Sequence, residues 1–302
     1  MEKPLVTVVV GCYNHSRYIV ECLNSIKAQT YNNIELLIGD DASPDNSVEV
    51  IDQWLQENNY PAKTVYHDKN TGVVKMLNEC MEHVHGKHVK FIAADDFLHP
   101  DCISRSVTEL EKYGDEYGMI FTDIFTVDEN SNRITDFADY NALGLVDREV
   151  FRREQKKINR IAAISTLVRT DVMRETGPYS EDFFLEDYYK WLQINERYYI
   201  GYVSEKLCYY RLHNENISKK KAQQIADETL ILNIMFDRNG ESSKYINEMV
   251  MASYYNRGIT NNERLLKTFI SYPYKNKVLE FAVKNRLPFN IFRIFKYILW
   301  RN

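Results

Sequence analysis

Glycine and proline are scarce in this chain, at 11 and 7 of 302 residues. That scarcity excludes collagen-like repeats and a low-complexity linker. With 44% apolar and 27% charged residues there is material for packed cores, which excludes a disordered tail protein. Cysteine is sparse as well. Cys12, Cys22, Cys80, Cys102 and Cys208 are odd in number, widely spread and without a C-x-x-C pair, so neither a disulfide framework nor a zinc site is expected and a reducing compartment fits. No window reaches the roughly 20 apolar residues that span a bilayer, and the run Leu5 to Val10 is too short for a secretory leader. The expectation is a cytoplasmic chain, or one resting on the inner face of a membrane. A basic excess is missing too: the formal charge is −5, so no nucleic-acid partner is expected.

What is present is an alternation of strand and helix patterns over the first hundred residues. Leu5 to Val10 is a β-branched run suited to a strand buried on both faces. Tyr18 to Ala28 carries a helical stripe at Ile19, Cys22, Leu23 and Ile26. Ile34 to Ile38, Lys63 to His67 and Lys87 to Ala93 read as further strands, with helices over Ser47 to Gln56 and Val73 to Val84 between them. That order predicts a mostly parallel sheet flanked by helices, an α/β architecture. A helix over Cys102 to Tyr113 and a strand over Met119 to Asp128 follow. Residues 135–160 lack a clean period and read as a long, partly helical loop. A strand (Ile161 to Arg169), helices (Asp171 to Thr176, Tyr188 to Arg197) and a strand (Tyr199 to Tyr210) complete this part. From about Lys221 only helical patterns remain, and the charge balance changes: residues 221–302 hold 13 Lys and Arg against 7 Asp and Glu, where the first 220 hold 25 against 36.

Polar residues collect where the predicted strands end, which is where open α/β sheets bind ligands. Tyr13 and Asn14 follow the first strand, and Asp40-Asp41 the second. A ring there can stack on a base and a carboxylate can accept its proton, although Asp-Asp-Ala-Ser-Pro-Asp is also good turn chemistry. Asp95-Asp96 ends the fourth strand; adjacent carboxylates repel unless a cation or hydrogen bonds offset them, and a hard divalent ion bridging to a diphosphate is one explanation. An ordinary solvated loop is the other. Glu186-Asp187 opens a helix, as a general base or as a helix-dipole charge. His213 follows the last strand, as a metal or phosphate contact or as a plain surface imidazole.

Taken in order, these fragments resemble the family-2 inverting nucleotide-sugar glycosyltransferases of the GT-A fold. The likeness covers about residues 4–220. It rests on Val8-Val-Val-Gly-Cys-Tyr-Asn14 with Ala28-Gln-Thr-Tyr31, Ile38-Gly-Asp-Asp-Ala-Ser43, Asn70-Thr-Gly72, Ala94-Asp-Asp96, Phe184-Leu-Glu-Asp-Tyr-Tyr-Lys-Trp191, and Tyr210-Arg-Leu-His213 with Asn216 and Ser218. The resemblance implies a GT-A catalytic domain over 1–220, with a nucleotide-binding half (1–101) and an acceptor half (102–220), and a helical C-terminal region over 221–302. It implies nucleotide contacts from Tyr13, Asn14, Asp41, Asn70 and Asp95, with Tyr13 stacking on the base, Asp41 bonding it and Asp95 holding ribose or metal. Asp96 and His213 become ligands of Mn2+ or Mg2+, Asp187 the catalytic base and Glu186 its orienting partner or that of the acceptor. The implied activity is hexosyl or N-acetylhexosaminyl transfer from a nucleotide-diphosphate donor, a UDP-sugar, to a glycan or lipid-linked acceptor in bacterial surface polysaccharide synthesis.

Three positions depart from the family pattern. Ala93 stands where many relatives carry Asp, and Gly11 where Thr or Pro is common. Ala42 replaces the glycine of the Asp-Asp-Gly turn and is expected to avoid a positive φ. Ala93 is the one support for a rival reading, a catalytically inactive module that binds a sugar nucleotide or glycan. A dinucleotide oxidoreductase is rejected because G-x-G-x-x-G is absent after the first strand. His83, His85 and His88 read as a solvated turn rather than a metal cluster, and Lys219 to Lys221 as a solvated charge run. The segment 288–301 is basic and aromatic. It suits a peripheral membrane contact or a helix docked on protein.

Overall fold

The computed structural model describes residues 3–136, 144–214, 216 and 221–293. Two compact units emerge. The larger comprises 1–152, 160–182 and 186–214; the smaller comprises 153–159, 183–185 and 215–302.

The larger unit is built on an eight-stranded sheet in the order β3-β2-β1-β4-β7-β6-β8-β5. Its first half runs β1 (Val6–Cys12), helix α1 (Ile19–Lys27), β2 (Ile34–Asp40), α2 (Ser47–Asn58), β3 (Ala62–Tyr66), α3 (Val73–Glu82) and β4 (His88–Ala93). β1 is central and parallel to both β2 and β4. Its Val6, Val8, Val9 and Val10 are fully buried, as a strand covered on both faces requires. The register sets Gly11 beside Gly39 and Ala93. The loops after β1, β2 and β4 therefore leave the sheet at one edge, side by side. Gly39 has a packing reason: a Cβ there would lie 2.3 Å from the Met76 sulfur of α3.

The second half is less regular: β5 (Phe97–Leu98), α4 (Cys102–Tyr113), β6 (Tyr117–Val127), α5 (Arg148–Gln155), β7 (Thr166–Arg169), α6 (Thr170–Glu175), α7 (Glu186–Arg197) and β8 (Tyr199–Arg211). β7 enters antiparallel between β4 and β6, while β6 and β8 are parallel. β5 is two residues long yet decides the site, because it pairs Phe97 with Tyr209 and Leu98 with Cys208. That pairing draws Asp95 and Asp96, just before β5, alongside the end of β8. In β4, fully buried Lys90 donates to the carbonyls of Ile164 (2.5 Å) and Thr166 (3.2 Å).

The smaller unit is helical, with α8 (Ala222–Phe236), α9 (Ser243–Tyr255), α10 (Gly258–Asn261), α11 (Glu263–Ser271) and α12 (Lys277–Lys284). Asn262 and Asn276 cap α11 and α12, accepting from Leu265 N (3.0 Å) and Leu279 N (2.9 Å). Leu230, Ile231, Ile246, Val250, Leu265, Phe269 and Val283 are among its buried residues. Among the described residues no helix is long and apolar enough to cross a membrane.

The partly helical loop expected over 135–160 contains a helix at 148–155, of whose residues Phe151 and Gln155 alone are buried. Two other expectations meet the structure differently. Ala42 adopts φ 57°, against the expectation that it avoids the left-handed region; Asp41 and Ser43 on either side are fixed by hydrogen bonds, and the turn they set imposes that backbone. His88 is fully buried on β4 with Glu111 at 2.9 Å, whereas His85 pairs with Glu35 at 2.7 Å. His85 and His88 thus serve separate carboxylate contacts and not one solvated turn, and burial lowers the His88 pKa to about 4. Ser218, Lys219, Lys220 and residues 294–301 of the C-terminal basic segment lie outside the described residues, as do 137–143 of the central loop.

Candidate active site

The loop after β1 is held by side chains from the loop after β2. Three successive backbone amides are captured: Asn14 N donates to Ser43 Oγ (2.8 Å), His15 N to Ser47 Oγ (3.1 Å) and Ser16 N to Asp45 Oδ2 (3.0 Å). Ser43 is itself pinned by buried Asp40, which accepts from its amide (2.8 Å) and hydroxyl (2.6 Å). The Asp-Asp-Ala-Ser-Pro-Asp segment is thus turn chemistry put to use in fixing its neighbour. Tyr13 projects from this frame at 45% exposure, its ring open to a stacking partner. Asn14 is exposed as well, at φ 60°.

Asp41 is 2% exposed and its carboxylate is occupied from several sides. It accepts from His67 Nδ1 (2.8 Å), Thr71 N (2.8 Å), Thr71 Oγ1 (3.1 Å) and Gly72 N (2.7 Å). Burial pushes its pKa up, but those donors outweigh it and hold the carboxyl below its usual value. Gly72 sits at φ 93° as the residue before α3, a conformation that favours glycine. Asp41 therefore anchors the 67–72 loop, leaving Asn70 exposed at its crest. His67 bridges onward to Glu79 (3.1 Å). Burial lowers the His67 pKa, and the two carboxylates more than reverse that, so it is raised.

The Asp95-Asp96 pair divides its labour. Asp95 Oδ2 lies 2.9 Å from His213 Nε2 and 3.8 Å from His15 Nε2, and one ligand atom from each of the three lies within 4.8 Å of the others. Burial raises the Asp95 pKa, but the His213 hydrogen bond and both imidazoles hold it low. Asp96 turns instead toward β8 and accepts from the Arg211 amide (2.9 Å). Burial, then the neighbouring Asp95 charge, push its carboxyl well up. Two imidazoles and a carboxylate suit a divalent transition ion, so the donor set fits Mn2+. The carboxylate that meets His213 is that of Asp95; the Asp96 carboxylate faces the backbone of Arg211.

Arg211 is the hub beneath them, 1% exposed. Its Nε donates to the Asp95 carbonyl (2.6 Å), one terminal nitrogen to Glu21 (2.5 Å), and the other to the Asp128 carbonyl (3.1 Å) and Ser131 Oγ (3.0 Å). Its guanidinium lies 4.6 Å from the centroid of the Tyr18 ring, which stacks on His213 at 5.5 Å. Sequence reasoning did not single out His15, Glu21, Tyr18 or His67. A signal existed for Arg211 alone, in the Tyr-Arg-x-His string.

Glu186 and Asp187 open α7, half-buried, with Asp187 Oδ1 accepting from Tyr188 N (2.5 Å). Both lie near buried Tyr179; burial first, then these two charges, push its hydroxyl pKa well up. The preceding segment is fastened by Lys190, fully buried three residues into the helix from Asp187, which donates to the carbonyls of Gly177 and Pro178 (3.2 Å). Burial lowers the Lys190 pKa to about 8. Asn78 of α3 holds Tyr179 through its backbone on both sides, at 2.8 and 3.0 Å. The structure thus joins Asp95 to His213, Asn14 to Ser43 and Asp41 to the 67–72 loop, while Glu186 and Asp187 lie beside Tyr179.

The family model of "Glycosyl transferase family 2" matches residues 7–175. A putative glycosyltransferase EpsH of Bacillus subtilis is 25% identical over 242 residues, covering 77% of this chain and 68% of that protein. Across the first curated relatives matched, the chain spans between 30% and 68% of their length. Among solved structures, Staphylococcus aureus TarS 1–349 in complex with UDP-GlcNAc superposes with TM-score 0.69 at 13% identity, covering 93% of this chain and 88% of that one. The mannosyltransferase PcManGT of Pyrobaculum calidifontis, in complex with GDP-Man and Mn2+, gives TM-score 0.64 at 17% identity, covering 98% and 84%. The architecture is that of the GT-A fold.

Proposed function

Because the chain belongs to glycosyl transferase family 2 and is a glycosyltransferase, we propose that it transfers a sugar, with inversion, from a nucleoside-diphosphate donor to a glycan or lipid-linked acceptor. The observation that carries this reading is the convergence of Asp95 and His213 at the strand ends, 2.9 Å apart. Tyr13 would stack on the base, with Asn14 and Asn70 beside it on loops braced by Ser43 and Asp41. Asp95 and His213 would hold Mn2+ or Mg2+, with Asp96 locking the dipeptide to β8. A bound cation supplies charge stabilisation for the departing diphosphate. Asp187 removes the proton of the acceptor hydroxyl, whose oxygen attacks the anomeric carbon from the face opposite the leaving group. Glu186 orients the acceptor or the base.

A UDP-sugar is the proposed donor, supported by the UDP-GlcNAc complex of TarS; the GDP-Man complex of PcManGT makes GDP the competing class. Catalysis is assigned to residues 1–220, with 1–101 binding nucleotide and 102–220 the acceptor. Bacterial surface polysaccharide synthesis is the proposed setting, at the cytoplasmic face of the membrane, with 288–301 as the peripheral contact. Thermal-shift binding of UDP, GDP, dTDP and CDP, each with Mn2+, Mg2+ or EDTA, tests the reading. One nucleotide is expected to give a metal-dependent shift. A chain that responds to none of them is not a nucleotide-dependent transferase of this kind, and a chain that binds without turnover is the inactive module.

A further inference from the structure

His15 lies within 4.8 Å of Asp95 and His213, yet the mechanism proposed above gives the ion to those two alone. The His15 amide is held by Ser47 Oγ (3.1 Å), and its carbonyl accepts from Tyr18 N (2.9 Å) and Ile19 N (3.0 Å) at the start of α1. The backbone is therefore fixed on both sides before any ligand arrives. The ring meets Tyr18 and His213 edge-on, at 6.4 and 6.3 Å between centroids. Its Nδ1 is buried with no hydrogen-bond partner among the described residues. Its Nε2 points at the same Asp95 oxygen that His213 reaches, but stops at 3.8 Å, beyond hydrogen-bond range. An imidazole so constrained, aimed at a shared carboxylate oxygen without bonding it, has the arrangement of a ligand awaiting its ion.

We infer that His15 is a third protein ligand to the divalent cation held by Asp95 and His213, and that its imidazole tilts the site toward Co2+ and Mn2+ over Mg2+. This rests on the metal-binding reading proposed above. The chemistry follows from donor type. Mg2+ prefers oxygen donors, and one carboxylate with a single imidazole would serve it tolerably. A second imidazole replaces an oxygen position with nitrogen, which raises affinity along the series Mn2+ to Co2+ and adds little for Mg2+. The three residues come from the loop after β1, the end of β4 and the end of β8, so the ion would also tie together three separate segments of the site.

The test uses the full chain stripped with EDTA, titrated calorimetrically with Co2+, Mn2+ and Mg2+, alone and with UDP or GDP present; the visible spectrum of bound Co2+ is recorded. Wild type is expected to rank Co2+ above Mn2+ above Mg2+. His15→Ala is expected to lose Co2+ affinity on the order of tenfold or more, at least the effect of removing a ligand's outer partner, and to shift the Co2+ spectrum. His15→Gln keeps a polar side chain that can offer oxygen, and is expected to hold Mg2+ while its Co2+ to Mg2+ ratio falls. Should His15→Ala misfold in EDTA, the His15→Gln ratio decides. Wild-type affinities and spectrum in both variants, with binding lost in His213→Ala, would overturn the role of His15 and leave the metal reading intact. No binding of any of the three ions by wild type would overturn both.

Discussion

His213 Nε2 sits 2.9 Å from Asp95 Oδ2, although 118 positions separate them in the chain. The contact exists because two-residue β5 pairs with β8 and brings Asp95, two residues before β5, within reach of His213, two residues beyond β8. Asp96, one residue on, faces the Arg211 amide instead. The two adjacent carboxylates are therefore expected to respond differently to the same change. Asp95→Asn should abolish Mn2+-dependent nucleotide binding. Asp96→Asn keeps an acceptor for the Arg211 amide and removes a buried carboxyl already pushed toward its neutral form. Its stability is expected within about 1 kcal/mol of wild type, with Mn2+ binding retained. Urea melts and Mn2+ titration of both variants check this.

The first half of the sheet was readable from sequence because β1 is a β-branched run buried on both faces, because Leu36, Leu37 and Ile38 give β2 an apolar centre, and because α1 shows its stripe at Ile19, Cys22, Leu23 and Ile26. The site was readable only as a set of segments. Nothing local says that Asp95 will meet His213 while Asp96 turns away, since that choice is made by β5 pairing and by a backbone amide. His15 and His67 lie in polar loops where an imidazole carries no periodicity. α5 was legible only as partial helicity within 135–160, without bounds, because its sequence is strongly charged and few of its residues face the core.

Arg211 joins the Asp95 carbonyl, Glu21, Asp128 and Ser131 while almost wholly buried. Replacing it strands several of those groups at once. Arg211→Met is expected to cost about 3–5 kcal/mol, the range for breaking a buried charge network by removing one partner. Arg211→Lys is expected to recover only part of it, because an ammonium cannot match the planar fork. Chemical denaturation in EDTA separates this loss from any effect on metal binding.

Ala42 holds φ 57° in the turn that follows Asp41. A left-handed conformation costs a residue with a Cβ roughly 1–2 kcal/mol, and glycine would relieve it while adding unfolded-state entropy of about 0.4–1 kcal/mol. Ala42→Gly is therefore expected to stabilise the chain by up to about 1.6 kcal/mol, seen as a higher urea midpoint at unchanged slope. A lower midpoint would show that the turn carries no such strain.

The His67 latch should make stability depend on pH. His67 has a folded pKa raised above 6.5, so its contribution is complete below that value and is lost as pH rises through the folded pKa. Asp41 has a folded pKa below 3.8, so its contribution is present above 3.8 and is lost as pH falls through the folded value. Both are at full strength between 3.8 and 6.5. His67→Gln is accordingly expected to lose about 1.5–3 kcal/mol near pH 5.5, the range for hydrogen bonds to charged groups, and progressively less toward pH 9. Urea denaturation of wild type and variant across that range measures the difference. A gap that widens as pH rises would show that His67 is held neutral between Asp41 and Glu79.

Asp187 offers the sharpest separation of chemistry from binding. It lies beside Tyr179, and its proposed task is to take a proton from the acceptor and not to hold the nucleotide. Asp187→Asn preserves shape and the hydrogen bond from Tyr188 N while removing the base. Loss of a general base typically lowers turnover by about 10²–10⁴, so kcat should fall by that much while nucleotide affinity stays within about twofold, because only an interaction made in the transition state is removed. Glu186→Gln should act more gently, raising KM for the acceptor if Glu186 orients it, or lowering kcat if it orients Asp187. Calorimetric nucleotide binding beside turnover of a UDP-sugar decides between these. Asp187→Asn with undiminished turnover would move the base elsewhere, and loss of nucleotide affinity would move Asp187 into the donor pocket.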